Sequence, residues 1–139
     1  MLAFERSLPV ETCSRAQLDK LSGNRPHQGV ILQCSAISTT RIIGLGVVDE
    51  SKYVVNLTAK DTDMRTSTKI PLWLALDQIV DPQNLGAILR TSHFFGVDGV
   101  IITENESAPL TAIVSKASSG ALECMDMFTA GNMAKFLEV

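Results

Sequence analysis

From Pro71 onward, short apolar runs alternate with stretches whose apolar residues recur at three- and four-residue spacing. The runs Leu72–Leu76, Gly99–Thr103 and Cys124–Phe128 predict strands. The stretches Gln83–Phe95, Leu110–Ser118 and Asn132–Leu137 predict helices beside them. Strands separated by short helices call for a parallel sheet with right-handed crossovers, so this part reads as α/β. A parallel sheet of this size exposes edges and faces, which predicts instability, oligomerisation or dependence on further sequence.

The pattern before Pro71 is weaker. Ser14 is placed to cap a helix over Ala16–Leu21, with Gly23 placed to end it. Asn24 to Gly29 has loop composition and Val30–Cys34 reads as a strand, as do Ile42–Val48 and Tyr53–Leu57. Thr58–Lys69 is rich in Thr, Asp and Ser and reads as a connector or mobile loop. Gly44-Leu45-Gly46 lacks the third glycine and the following helix of a dinucleotide-binding turn.

Composition adds bounds. The chain has 139 residues, 45% hydrophobic and 19% charged, which suits globular structure. Its apolar runs fall well short of the roughly 18 residues a membrane span needs. The three cysteines, Cys13, Cys34 and Cys124, form neither a metal-ligand spacing nor a secreted disulfide pattern, and read as reduced, core-type thiols. A net charge of −3 argues against RNA binding driven by global charge. The distribution is uneven, however: six acids stand against Lys116 and Lys135 from Asp98 onward, so an RNA contact would come from earlier basic residues and the Arg90 region.

The densest chemistry lies between Asp77 and Gly99. Asp81 followed by Pro82 has a simple explanation as a helix start, because Asp caps well and Pro fits the first turn. Asn84 falls at the third helical position, where it could complete the cap or face a ligand. Gly86 costs on the order of 1 kcal/mol relative to alanine inside a helix, and with Ala87 it leaves room beside Arg90 for a ligand, RNA or a second subunit. These residues sit where a strand ends and a helix starts, the place where open α/β sheets bind ligands.

The string DPQNLGAILRTSHFFGVDGV resembles the first motif of the SpoU (TrmH-type) branch of the SPOUT RNA 2′-O-ribose methyltransferases, through Asp81, Pro82, Asn84, Leu85, Gly86, Arg90, Gly96 and Gly99. His27-Gln28-Gly29-Val30 resembles the close of that family's small RNA-binding domain. Ser115 to Ala121 resembles a segment between its first and second motifs. Within the family the wording is similar to the mitochondrial ribosomal-RNA enzymes. The family's Gly-Glu-Gly and Ser-Leu-Asn motifs do not occur before Val139, so the chain reads as an internal fragment.

The resemblance implies a parallel-sheet α/β-knot core, here its first half over 71–139, preceded by a connector over 38–70. The end of a small RNA-binding α/β domain would occupy 1–37. It implies transfer of a methyl group from S-adenosylmethionine to a ribose 2′-hydroxyl, on guanosine of large-subunit mitochondrial ribosomal RNA. A homodimer with no metal and no membrane association is expected. Arg90 and Asn84 are the expected catalytic residues; Arg90, His93, Lys116 and Ser118 are the expected RNA contacts. The cofactor-binding residues are expected beyond Val139, so this piece alone is expected to be inactive. Lys116 and Ser118 have a second reading, as a solvated side chain and a helix terminus. The competing function is a non-catalytic RNA-binding or assembly module on the same scaffold.

Overall fold

The computed structural model describes residues 7–49, 52–58, 60–67 and 69–138. The chain divides into two compact units, 1–35 and 36–139.

In the first unit, helix α1 (Arg15–Leu21) starts at Ser14 in a reciprocal capping box with Gln17. The His27 ring sits against Asp19 at 3.0 Å, and its Nδ1 accepts from Gly29 N at 3.1 Å. That acceptor role leaves Nε2 as the donor to Asp19 in the neutral ring. The strand expected at Val30–Cys34 does not form: Val30 and Leu32 are exposed, and no neighbouring strand pairs with them among the described residues. A β ladder needs a partner, which apolar composition alone cannot supply.

The second unit is built on a four-stranded parallel sheet in the order β1-β7-β6-β5. Its strands are β1 (Thr40–Arg41), β5 (Trp73–Leu76), β6 (Gly99–Thr103) and β7 (Met127–Ala130). Helices α2 (Pro82–Phe94) and α3 (Ala112–Ser118) make the crossovers β5 to β6 and β6 to β7, and α4 (Met133–Leu137) follows β7. Side-chain alternation divides the core between the two faces. Leu76, Val100, Ile102 and Met127 pack with Leu85 and Leu89 of α2 and Val114 of α3. Ile101, Phe128 and Ala130 pack on the opposite face with Met133 and Phe136 of α4. Every residue of β6 is buried, as expected of a central strand covered on both faces.

That second face is also covered by an antiparallel sheet, β2-β3-β4, of Gly44–Leu45, Lys52–Asn56 and Thr62–Thr66. Tyr53 and Val55 of β3 join the same core cluster as Ile101 and Phe128. Trp73 lies between Tyr53 and Phe128, with ring centroids 6.2 and 5.0 Å away. Its ring also covers Gly99, where an added Cβ would come within 2.5 Å of it. Arg65 of β4 reaches Asp126 and Asp63, and its guanidinium stands 5.1 Å from the Phe128 ring centroid. Burial works against that charge but the two carboxylates outweigh it, holding the guanidinium above its ordinary value.

Several expectations change here. The stretch Thr58–Lys69 contains a paired strand rather than only a connector, although Ala59 and Thr68 lie outside the described residues. The expected Ile42–Val48 strand shortens to Gly44–Leu45 in the antiparallel sheet, while Thr40–Arg41 just before it joins the parallel one. The third expected strand begins later, because Leu122–Cys124 closes a 3₁₀ turn first. The cysteines are not core residues: Cys34 and Cys124 are exposed and Cys13 is partly so.

Candidate functional site

Helix α2 is set by its two ends. At the start, Asp81 accepts from Asn84 N at 2.9 Å and Pro82 opens the first turn, where no N–H is needed. At the end, Gly96 adopts φ +67°, with Gly96 N bonded to His93 O and Val97 N to Ser92 O. This paired closure satisfies the last carbonyls and needs a residue tolerant of the left-handed conformation. The polar side chains within the helix are partly spent on its own backbone: Thr91 donates to Ala87 O and Ser92 to Ile88 O.

One side of α2 is closed. Leu85 and Leu89 are fully buried, and Gly86 faces α3. An added Cβ at Gly86 would lie 2.4 Å from Ala117 Cβ and 2.9 Å from Val114 O. The glycine therefore serves close helix–helix approach, and it does not leave a notch for a ligand beside Arg90. The expectation was wrong because sequence spacing shows which residues share a face but not what that face meets.

The other side is open. Asn84, Arg90 and His93 are exposed, and their side chains have no hydrogen bond or ion pair with any described residue. As a crossover helix α2 runs opposite to the strands, so Asn84 lies near their C-terminal edge, and Arg90 stands about 9 Å further along the axis. At 100° per residue the two are about 120° apart around it, so one copy of α2 does not aim both at one point. Asn84 shares a strip with Ile88, Thr91 and Phe95, and Arg90 shares one with Ala87 and Phe94.

The remaining expected residues divide. Lys116 is exposed on α3. Ser118 is 1% exposed, with its hydroxyl donating to Ser115 O and accepting from Leu122 N. Ser118 thus ties the end of α3 to the following turn and presents nothing to RNA. Ser119, at φ +56°, completes the reversal.

Sequence reasoning placed chemistry where β5 ends and α2 starts, but it gave no role to Asp77 and did not see Thr103 beside it. Thr103 ends β6, is 3% exposed, and donates to Asp77 Oδ1 at 2.6 Å. Gln78 N donates to the same hydroxyl at 3.3 Å, and the Gln78 side chain reaches Glu106 at 2.9 Å. Glu104, just after β6, lies 3.6 Å from Arg41 of β1, with β7 between the two strands. The only available signal was an Asp at one strand's end and a Thr at the next. A groove of about 470 Å³ lies elsewhere, between β5 and α2, lined by Leu72, Leu74, Ile88, Thr91 and Phe95 among others, and it is largely apolar. No cluster of metal-ligating side chains occurs among the described residues, and no described helix is long and apolar enough to cross a membrane.

Comparison with known proteins bears on this arrangement. Residues 71–139 match the SpoU rRNA methylase family and residues 1–40 match the RNA 2′-O ribose methyltransferase substrate-binding family. The chain is 38% identical over 129 residues to rRNA methyltransferase 1, mitochondrial, of Dictyostelium discoideum, covering 87% of this chain and 24% of that protein. The human protein of the same name is 36% identical over 137 residues, covering 99% of this chain and 35% of that one. The 23S rRNA (guanosine-2′-O-)-methyltransferase of Shewanella oneidensis is 35% identical over 126 residues, covering 91% of this chain and 45% of that one. The chain thus spans less than half the length of each of these relatives. With the methylase match extending over β5, all of α2 and the strands that follow, the chain belongs to the SpoU rRNA methylase family.

Proposed function

We propose that this chain carries part of a mitochondrial ribosomal-RNA ribose 2′-O-methyltransferase that uses S-adenosylmethionine. The observation that carries the reading is the succession, in one chain, of a substrate-binding match at residues 1–40 and a methylase match at residues 71–139. Relatives named for mitochondrial rRNA support the compartment, and a relative named as a 23S rRNA (guanosine-2′-O-)-methyltransferase supports guanosine of large-subunit rRNA as target.

Arg90 and Asn84 are assigned to the reacting ribose, and His93 and Lys116 to neighbouring RNA. A guanidinium stays protonated in proteins, so Arg90 acts as a fixed cation. It holds a phosphate and stabilises charge developing on the 2′ oxygen, with no literal proton abstraction. Asn84, close to the sheet edge, orients the hydroxyl. Because one α2 directs Asn84 and Arg90 about 120° apart, a homodimer in which two copies share each substrate accommodates both roles.

When bound, S-adenosylmethionine supplies an electrophilic methyl on a sulfonium cation. The apolar groove beside β5 has no charged side chain in its lining and does not suit that cation. The reading is tested by incubating the full-length protein with methyl-labelled S-adenosylmethionine and mitochondrial ribosomal RNA, then mapping the label. The expected result is a single ribose-methylated guanosine. Label on a base, or none from a protein that binds both reactants, would overturn it.

A further inference from the structure

Arg90 cannot take up the proton that a ribose hydroxyl must lose, and the proposed function leaves that proton without a protein acceptor. The C-terminal edge of the parallel sheet supplies one. Asp77 is the first residue after β5, and its Oδ1 is fixed by the buried hydroxyl of Thr103 at 2.6 Å. Its Oδ2 has no hydrogen-bond partner among the described residues, and the side chain is exposed. The carboxylate is therefore anchored through one oxygen and open through the other.

The local backbone is arranged at a cost to hold it so. Gln78 adopts φ +53°, a left-handed conformation that a residue with a side chain enters only against steric resistance. That turn brings Gln78 N onto Thr103 Oγ1, the same hydroxyl that holds Asp77. The contact between the Gln78 side chain and Glu106 secures the turn from outside. Backbone strain of this kind persists where surrounding contacts over-determine it, and it concentrates at functional sites. Asp81, the cap of α2, and Asn84 follow within the same short connection, so the open carboxylate oxygen and Asn84 lie at the same edge.

We propose that Asp77 accepts a hydrogen bond from the ribose 2′-hydroxyl to be methylated and takes its proton. The proton moves from O2′ to Asp77 Oδ2 as the oxygen–methyl bond forms and the sulfonium–methyl bond breaks. The donor leaves as a neutral thioether, and Asp77 later returns the proton to water. This assignment rests on the proposed methyltransferase function and adds a residue to it.

The test uses the full-length protein and Asp77→Asn, whose amide oxygen still accepts from Thr103 while the basic oxygen is lost. Binding is measured without cofactor to target RNA carrying a 2′-hydroxyl or a 2′-deoxy sugar at the methylated nucleotide. The wild type is expected to prefer the hydroxyl by about tenfold, the scale of a hydrogen bond to a charged group, and Asp77→Asn to lose that preference. The single-turnover rate should fall by about 10²-fold or more with cofactor affinity unchanged, the scale of a lost general base.

An Asp77→Asn variant with the preference intact and a rate within about threefold of wild type would overturn the assignment, given that this is far below a general base's contribution. So would a rate loss that merely follows a loss of stability while the preference survives. Should Asp77→Asn fail to fold, Thr103→Val, which unfastens Asp77 and keeps its charge, is expected to weaken the preference; an unchanged preference there would overturn the assignment too. Absence of methyl transfer by the wild type would instead sink the underlying functional reading.

Discussion

On one side of α2, Leu85, Gly86 and Leu89 are sealed against α3 and the sheet; on the other, Asn84, Arg90 and His93 face outward without partners among the described residues. The same string of residues carries the family's first motif, but its members are retained for different physical reasons. Folding accounts for the closed side: apolar burial, and a glycine where two helices touch. It does not account for the open side, where an asparagine and an arginine contribute nothing to packing. A motif is therefore not a list of catalytic residues. Its glycine and leucines place the helix, and its polar residues use that placement.

Substitutions can break this division or sharpen it. The largest loss is expected at Leu89→Ala, which empties a fully buried position and should cost about 3 kcal/mol in denaturant unfolding. Gly86→Ala comes next. Alanine improves helix propensity by about 1 kcal/mol, yet the clash with Ala117 and Val114 should leave a net loss of about 1–2 kcal/mol. A net gain would mean that α2 and α3 separate easily and that Gly86 is needed for something else. Removing the helix cap with Asp81→Ala should cost about 1 kcal/mol through the orphaned Asn84 N–H. Arg90→Ala should change stability by no more than about 0.5 kcal/mol, as at other surface sites without partners. A larger loss there would place Arg90 on the structural side of the comparison.

The parallel sheet was largely legible because its strands are apolar runs and its helices have strong periodicity and punctuation, as at Asp81-Pro82 and Gly96. The antiparallel sheet was not. In β4 the inward positions are Asp63 and Arg65 while Met64 points out, which inverts the pattern from which burial is read. The side chain of Arg65 belongs there because of Asp126, distant in sequence. Likewise β1 is two residues long, below any periodic signal, and exists because the edge of β7 accepts it.

At the candidate site, residue types were legible and directions were not. Arg90 and Asn84 stood out through the family's motif, but their angular separation and the burial of Ser118 required coordinates. Asp77 was passed over because nothing near it in sequence reveals Thr103, which reaches it only when β5 and β6 pair.

The most direct test of the central claim, that the open side of α2 serves chemistry rather than folding, is Arg90→Ala in the full-length protein. Methyl transfer to ribosomal RNA and S-adenosylmethionine affinity should be measured on the same preparation. The account predicts a fall in transfer of about 10²-fold or more, the scale of losing a preorganised charge at a developing oxyanion, with cofactor affinity nearly unchanged. Transfer close to wild type, or a loss explained by weakened cofactor binding, would contradict it.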